Sequence, residues 1–356
     1  MKTHNHLFEQ ICSWENLLWA ARRAESGKRL QGAVGVFRTD VEAQLLQLQR
    51  ELRTGTYTPG PYRTKIITRP KTRMISAAPF RDRVVHHAVC HVVMPLFERK
   101  MIFDLYSNRQ GKGTHAAIAR CQEYCREYDY VLKCDVRKFF PSMDHLELKA
   151  TIRRTIRCTP TLRLLDQIID SSNPQEPVCA VFPGDDLAAA AGRRVGLPIG
   201  NLTSQWFGCI YLTEFDHWAK EELRCPGYVR YVDDFLLFSN EKRQLNGWRQ
   251  AIAAKLGELR LRLNERKSRS FPTRGGVTFL GQRIWPGRRR LCRQNVADAR
   301  RRLKWNVRQY RLGCLSREAL VCRWNSWRGH AEQAQAGPLV ETVKRELRYA
   351  LGATGT

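Results

Sequence analysis

Residues 227–239 read GYVRYVDDFLLFS, in which two β-rich arms flank the adjacent carboxylates Asp233 and Asp234. Valine, tyrosine and phenylalanine favour strands, and a short polar interruption between two such runs favours a hairpin. Two carboxylates side by side in a tight turn repel one another unless a cation lies close to both. Oxygen ligands of this kind prefer a divalent metal such as Mg²⁺, whose coordination a substrate phosphate completes. Because Asp also occurs in turns for backbone reasons, this pair alone is weak evidence.

A second strand that ends in a carboxylate strengthens the argument. Residues 130–135, YVLKCD, form a short apolar run that ends in Asp135. Three carboxylates on two neighbouring strands can hold two Mg²⁺ ions about 3.5–4 Å apart, the arrangement used for in-line phosphoryl transfer. We therefore predict nucleotidyl transfer, with Asp135, Asp233 and Asp234 as ligands of two Mg²⁺ ions or of Mn²⁺ in their place. Residues 184–186, GDD, are interpreted as a loop, because the alanine-rich run after them offers no second strand.

The composition indicates a polyanionic partner. The 356 residues include 61 Lys and Arg against 34 Asp and Glu, a formal net charge of +27. That balance argues against an ordinary small-molecule enzyme, and the 43% hydrophobic content argues against a disordered basic tail. Residues 286–356 hold 16 basic and 5 acidic residues with interleaved Trp and Tyr, which favours a surface that follows a nucleic-acid backbone. Arg300, Arg301 and Lys304 are the candidate template or primer contacts there.

Hydrophobic periodicity predicts an α+β chain. The helical patterns cover residues 7–56, 82–97, 114–128, 145–157, 161–170, 204–223, 242–263 and 293–351. The strand patterns cover residues 62–67, 73–76, 130–135, 227–239 and 277–285, and residues 171–196 are irregular. No apolar run is long enough to span a membrane, and no export signal precedes the first helix. The twelve scattered cysteines are therefore expected to be reduced thiols.

The order of these motifs over residues 57–330 resembles that of reverse transcriptases. The resemblance implies RNA-directed DNA polymerase activity and an α+β right-hand fold, with an antiparallel palm sheet flanked by helices. It also implies a division of the chain into an N-terminal helical extension (1–56), fingers (57–134), a palm (135–285) and a basic helical thumb and tail (286–356).

Residues 69–83, RPKTRMISAAPFRDR, resemble the fingers motif that contacts the incoming triphosphate, which implies this role for Lys71 and Arg73. Residues 135–145, DVRKFFPSMDH, resemble the first palm motif. That match implies that the backbone carbonyl of Val136 is a further metal ligand.

Phe140, five positions after Asp135, matches the bulky residue with which the family rejects a ribose 2′-hydroxyl. Simple core packing beside Phe139 is the alternative for this side chain. Residues 263–267, LNERK, resemble the next palm motif, in which Lys267 would protonate the departing pyrophosphate; an exposed, salt-bridging lysine is the alternative.

Residues 196–205, GLPIGNLTSQ, resemble the motif that packs under the nascent base pair. The match implies that Ile199 and Gly200 lie at the incoming nucleotide and that Ser204 and Gln205 lie at the template. The primer-grip turn has its counterpart in three consecutive residues, Phe279, Leu280 and Gly281.

Two departures from the common pattern narrow the resemblance. Most reverse transcriptases carry Gln before the Gly of this motif and Ser-Pro at its end, whereas this chain has Ile199-Gly200 and Ser204-Gln205. Both departures resemble the diversity-generating retroelement enzymes of bacteria and phages. An Ile offers only shape where a Gln could hydrogen-bond, so mispairs would be rejected less strongly.

That family implies error-prone copying of a template-repeat RNA into cDNA, with errors concentrated opposite adenines, for diversification of a target gene. The implied partners are the template-repeat RNA, the RNA/cDNA duplex, dNTPs and the accessory variability determinant, a small basic protein. No membrane partner is implied, and a cytoplasmic, bacterial or phage-encoded protein is expected. Two alternatives stay open: a faithful group II intron-like or other domesticated bacterial reverse transcriptase, and a non-catalytic RNA-binding maturase. The presence of all three palm carboxylates argues against the second.

Overall fold

The computed structural model describes residues 6–26, 32–68, 72–178, 180–183 and 185–352. Four helices open the chain: α1 (Phe8–Ile11), α2 (Trp14–Glu25), α3 (Gly32–Thr39) and α4 (Val41–Thr54). The side chain of Ser13 caps α2 and that of Asp40 caps α4, each by accepting from a backbone N–H of the first turn. Gly55 ends α4 with φ 72°, a left-handed conformation that glycine adopts without strain.

A two-stranded hairpin and a long buried helix follow. Strands β1 (Arg63–Ile67) and β2 (Arg73–Ala77) lie where strands were predicted and pair antiparallel, and the connecting residues 69–71 lie outside the described part of the chain. Helix α5 (Phe80–Glu98) then packs against α2, with eleven of its side chains buried. Helix α6 (Thr114–Glu127) leads into the central sheet.

The central sheet has four strands: β3 (Tyr130–Asp135), β4 (Gly227–Tyr231), β5 (Asp234–Ser239) and β6 (Arg269–Pro272). Their order is β4-β5-β3-β6, and every neighbouring pair is antiparallel. Both faces are buried, because alternate side chains of one strand enter different cores: Phe235 and Leu237 enter the larger, Leu236 and Phe238 the smaller. Helix α13 (Lys242–Glu258) contacts β3, β5 and β6, whereas α6 contacts β4 and β5.

The segment between β3 and β4 is helical for much of its length. It contains α7 (Phe139–Ser142), α8 (His145–Arg153), α9 (Thr159–Asp170), α10 (Leu187–Gly192), α11 (Leu202–Tyr211) and α12 (Thr213–Glu221). The helix predicted over residues 204–223 is thus two helices that meet at Leu212. Helix α10 lies within the stretch predicted to be irregular, and directly follows Asp186, so no second strand follows the acidic pair at 185–186.

A second small sheet joins the central sheet to the C-terminal helices. It has the order β7 (Val277–Phe279), β8 (Gln282–Ile284) and β9 (Arg289–Leu291), all antiparallel. The predicted boundary at residue 286 therefore falls between two paired strands. Three helices complete the chain: α14 (Arg293–Arg311), α15 (Arg317–Glu332) and α16 (Gly337–Gly352).

The cysteines and the hydropathy of the helices bear on the expectations of reduced thiols and of no membrane-spanning segment. Eleven cysteines in these ranges are free thiols, and eight of them are buried. A search of the same ranges finds no helix with the length and hydropathy that a bilayer crossing needs.

Candidate active site

The register of the central sheet brings the predicted carboxylates to one end. Asp135, the last residue of β3, pairs with Asp234, the first residue of β5. Asp233 lies in the turn between β4 and β5, and its carbonyl accepts a hydrogen bond from the N–H of Val136 at 3.4 Å. Paired positions of an antiparallel sheet place Cβ atoms about 4.5–5.5 Å apart, so Asp135 and Asp234 are neighbours on one face.

The turn itself is strained. Val232 has φ 58°, a left-handed conformation that a β-branched residue rarely adopts. Two polar groups hold it in place: the N–H of Val232 donates to Ser107 Oγ at 3.1 Å, and its carbonyl accepts from Arg230 Nη1 at 2.9 Å. Backbone strain of this kind persists only where the surroundings over-determine the conformation.

Arg230 is itself held by a buried acid. Its Nε and Nη2 donate to the two oxygens of Asp216, at 2.6 and 2.5 Å, and both side chains are 0% exposed. The hydroxyl of Tyr228 also donates to Asp216, at 2.8 Å. Asp216 belongs to α12, so this helix fixes the turn that carries Asp233 through a bidentate ion pair with Arg230. Ser107, Asp216 and Arg230 were not among the predicted site residues. An arginine inside an otherwise apolar strand was the available signal, since a buried charge requires a partner.

Asp233 and Asp234 lie in an environment that disfavours their charged forms. Burial and the neighbouring Asp135 and Asp234 raise the pKa of Asp233 to about 6. Burial likewise raises the pKa of Asp234, against the opposing effect of Lys133. Asp234 Oδ1 is buried and has no hydrogen-bond partner among the described residues. A cation at this point would satisfy that oxygen and relieve the repulsion, so the donor set fits Mg²⁺.

Two lysines and one amide contact the carboxylates directly. Lys267 Nζ lies 2.6 Å from Asp135 Oδ2, to which Asn264 Nδ2 also donates at 2.9 Å. Lys133 Nζ lies 3.3 Å from Asp234 Oδ2. In the part of the chain that the structure describes, no group of three or more His, Cys, Asp or Glu side chains has its ligand atoms close enough together to hold a metal ion as it stands. The three predicted ligands thus share one end of the sheet, with Asp135 and Asp234 held by lysines.

The GLPIG segment connects this end of the sheet to the β1–β2 hairpin. The carbonyl of Ile199 accepts from the N–H of Ser76 in β2 at 2.9 Å. Gly200 has φ 116°, and a Cβ at this position would lie 2.9 Å from Ile75 Cγ2, so only glycine allows this approach. The side chain of Asn201, which was not predicted, accepts from the N–H of Ala78 and donates to the carbonyl of Ser76.

Only some of the residues predicted to contact the nucleotide lie in the described part of the chain. Arg73 begins β2 with an exposed side chain, whereas Lys71 lies outside the described residues. Phe140 is half-buried in α7, with its ring centroid 5.4 Å from that of the buried Phe139, and its carbonyl accepts from the N–H of Leu197. Phe140, which lies within the first palm motif, is therefore joined to the GLPIG segment through its backbone carbonyl.

The predicted template and primer contacts differ in accessibility. Gln205 is exposed on α11, but Ser204 is only 2% exposed, so its side chain does not reach a nucleic acid in this conformation. Residues 279–281 form the β7–β8 turn, with Leu280 and Gly281 at positive φ and the Phe279 side chain fully buried. This is the geometry of a two-residue hairpin loop.

In the C-terminal helices, Arg301 and Lys304 are exposed on α14. Arg301 forms an ion pair with Asp298 of the same helix at 3.3 Å, whereas Arg300 pairs with Glu346 of α16 at 2.8 Å and thereby ties two helices together.

An acidic hairpin beside a second acidic strand, on an antiparallel sheet with helices on both faces, defines a nucleotidyltransferase with the right-hand polymerase fold. A sequence model of one such family, described as reverse transcriptase (RNA-dependent DNA polymerase), matches residues 64–284. The chain belongs to the reverse transcriptase family and is an RNA-directed DNA polymerase.

Individual relatives share little sequence identity with the chain. The chain is 26% identical over 338 residues to protein YkfC of Escherichia coli, covering 82% of this chain and 86% of that protein. It is 21% identical over 238 residues to a protein assigned to COX1/OXI3 intron 1 of Saccharomyces cerevisiae, covering 66% of this chain and 26% of that one. A solved structure of apo telomerase from Candida tropicalis aligns with a TM-score of 0.49 and 13% identity, over 68% of this chain and 59% of the telomerase chain.

Proposed function

We propose that this reverse transcriptase is the error-prone polymerase of a diversity-generating retroelement, which copies a template-repeat RNA into adenine-mutagenised cDNA. Ile199 is the observation that carries the proposal. Its backbone is fixed to β2 through Ser76, while its half-buried aliphatic side chain has no group that could hydrogen-bond to a nucleotide. Shape alone discriminates between similar substrates by only about 10–200-fold, which favours frequent mispairing.

We assign the chemistry to the end of the central sheet. Asp135, Asp233 and Asp234, with the carbonyl of Val136, would hold two Mg²⁺ ions, for which Mn²⁺ could substitute. When bound, the metal neutralises phosphate charge and activates the attacking hydroxyl. Lys267 donates a proton to the departing pyrophosphate from its place beside Asp135, and Asn264 orients that carboxylate.

The remaining contacts are proposed from the resemblance of the motifs. Lys71 and Arg73 bind the triphosphate, Gly200 allows close approach of the nucleotide, and the ring of Phe140 excludes a ribose 2′-hydroxyl. Gln205 contacts the template strand.

The β7–β8 turn at residues 279–281 and the exposed Arg301 and Lys304 contact the primer duplex. Because Ser204 is buried and Arg300 ties α14 to α16, their proposed contribution is to position these elements.

The proposed partners match the charge of the chain. A formal net charge of +27 favours a structured RNA in addition to the RNA/cDNA duplex and dNTPs. The accessory variability determinant completes the proposed complex, and the cytoplasm of a bacterium is its proposed location.

The test is the substitution Ile199→Gln, which restores a hydrogen-bonding side chain. Sequencing of cDNA made on one RNA template should show fewer errors opposite adenine in the variant than in the wild type. The control is Ile75→Val, which shortens a half-buried side chain of β2. It tests for general disturbance of the contact between β2 and the GLPIG segment. Equal error spectra for the wild type and Ile199→Gln would contradict the proposal.

The similarity to an intron-assigned yeast protein favours a second candidate, a faithful group II intron-like reverse transcriptase. The same sequencing separates the two candidates. A wild-type enzyme whose errors are rare and spread evenly over the four template bases would support the second.

A further inference from the structure

A basic cavity is lined in part by residues that follow Asp135 closely in the chain. It encloses about 120 Å³. Its wall contains five basic side chains and no acidic one: Arg137, Lys138, Arg193, Arg260 and Arg262. One water molecule needs roughly 10–15 Å³ of such space, and drug-sized ligands occupy about 300 Å³ or more. The cavity therefore suits a group of a few heavy atoms, and its wall selects for negative charge.

Three of the five basic side chains, called here the inner wall, are already neutralised by acidic partners. Arg193 donates to Asp144 at 3.1 Å and to Asp185 at 2.6 Å, and Arg260 pairs with the same Asp185. Lys138 pairs with Glu176 at 2.7 Å. These three basic groups and their acidic partners build the wall and leave little net charge for a ligand.

The other two basic side chains, called here the outer wall, have no acidic partner among the described residues. Arg137 and Arg262 are exposed, and neither forms an ion pair within the described residues. The N–H of Arg137 donates to the carbonyl of Arg262 at 2.8 Å, so the two side chains start from adjacent backbone positions. Arg262 is also oriented by donating from Nη2 to the carbonyl of Val181 at 3.0 Å. Two neighbouring guanidinium groups at one cavity are well suited to a phosphoryl group, which they can bind in a bidentate manner.

Phe182 gives this region its shape. Its buried ring has the guanidinium groups of Arg193, Arg260 and Arg262 at 5.6, 5.9 and 5.5 Å from its centroid. Stacking on an aromatic ring fixes the orientation of a guanidinium and lowers the entropy lost on binding. Arg262 is thus held both by Val181 and by Phe182 while its charge stays unpaired.

We infer that Arg137 and Arg262 form a phosphate-binding subsite that is separate from the carboxylates of the active site. The subsite is close to the reaction centre along the chain, because Arg137 follows Asp135 by two positions and Arg262 precedes Asn264 by two. The phosphoryl group has two chemical sources: a free diphosphate, as in the pyrophosphate product, or a backbone phosphate of a bound RNA strand.

The experiment measures both sources in the same proteins. Sodium pyrophosphate is titrated by calorimetry into the full chain in EDTA, where no divalent metal occupies the carboxylates. A 12-nucleotide single-stranded RNA is titrated in parallel by fluorescence anisotropy at several salt concentrations. The variants are Arg137→Ala, Arg262→Ala and the double variant. Arg157→Ala is the control, because this exposed arginine lies outside the cavity wall.

A free diphosphate as ligand predicts at least a tenfold loss of pyrophosphate affinity in the double variant. A backbone phosphate predicts instead a similar loss of RNA affinity, with a salt slope reduced by about 1 for each arginine. Arg262→Lys keeps the positive charge but cannot bind a phosphoryl group in a bidentate manner, so this variant should lose an intermediate amount of affinity. Such a graded loss would show that misfolding is not the explanation. Affinities of the double variant within twofold of Arg157→Ala for both ligands would overturn the inference.

Discussion

Asp135 and Asp234 are cross-strand partners in the central sheet, and each carboxylate is contacted by a lysine, Lys267 at 2.6 Å and Lys133 at 3.3 Å. Like charges directly opposite one another destabilise a sheet. The two lysines offset that repulsion, while Asp233 in the adjoining turn keeps a raised pKa. This end of the sheet is therefore arranged to gain stability from an added cation.

Magnesium should stabilise the folded protein through these carboxylates. A ligand that binds only the folded state contributes about 2.7 kcal/mol at one hundred times its Kd. We expect Mg²⁺ to raise the Tm of the wild type and to leave the Tm of Asp234→Asn nearly unchanged. Differential scanning fluorimetry with and without EDTA measures this. A metal-dependent shift that persists in Asp234→Asn would place the metal elsewhere.

Removal of one partner from the buried pair of Arg230 and Asp216 should strongly destabilise the fold. Loss of one partner leaves a buried charge unpaired, which costs about 3–5 kcal/mol, so Asp216→Asn should lower the Tm by many degrees. The exposed pair of Arg154 and Glu214 is the control, and Glu214→Gln should cost less than about 1 kcal/mol.

The double variant Arg230→Met, Asp216→Leu separates stability from function. Apolar side chains of similar volume can replace a buried ion pair without loss of stability, so the double variant should recover much of the Tm. Primer extension should stay low, because the Val232 carbonyl loses its donor and the strained turn is no longer fixed. Full extension by a stable double variant would show that Arg230 does not position the turn.

Phe140 and its neighbour Phe139 should differ in what they contribute. Phe139 is 3% exposed in the core, so Phe139→Ala should cost about 3–5 kcal/mol of stability. Phe140 is only half-buried, and Phe140→Ala should instead raise incorporation of ribonucleotides relative to deoxyribonucleotides. Primer extension with each nucleotide set, beside a melting curve, measures both effects. If ribonucleotides remain excluded in a stable Phe140→Ala variant, the ring serves only in packing.

His86 should make the fold sensitive to acid. Burial, with the charges of His87 and Arg83, lowers the pKa of His86 to about 3 in the folded protein. In the unfolded chain this imidazole takes up a proton near pH 6.5, so stability is complete above that pH and falls as the pH drops toward 3. The slope is at most about 1.4 kcal/mol per pH unit from this group.

Denaturant titrations at several pH values test this effect with His86→Phe. The variant should lose stability less steeply than the wild type between pH 6.5 and pH 4.5. Parallel slopes for both proteins would assign the acid sensitivity to other groups.

The sequence predicted the strands at the acidic end of the sheet well, because the information there is local. Asp135 ends its strand at the predicted residue, and the two arms of residues 227–239 meet at the predicted acidic turn. Short runs rich in Val, Tyr and Phe and bounded by polar residues favour such strands. Strands β1 and β2 were predictable from another local signal, the turn-forming residues 69–72 between them.

Other features depend on distant contacts and could not be predicted. Strand β9 has the sequence RRL, which has no β pattern of its own and is a strand because β8 pairs with it. Helix α13 ends at Glu258, earlier than predicted, and Arg260 adopts φ 56° beyond it. The partnership of Arg230 with Asp216 joins a strand to a helix, and no periodicity reveals which of the 34 acidic residues is the partner.

Primer extension on an RNA template by Asp233→Asn, with Mg²⁺ and dNTPs, tests the central claim most directly. The control is Asp129→Asn, an exposed residue just before β3. We predict that Asp233→Asn loses extension while its affinity for RNA stays within a few-fold of the wild type, and that Asp129→Asn extends normally. Extension by Asp233→Asn at the wild-type rate would contradict the assignment of the active site.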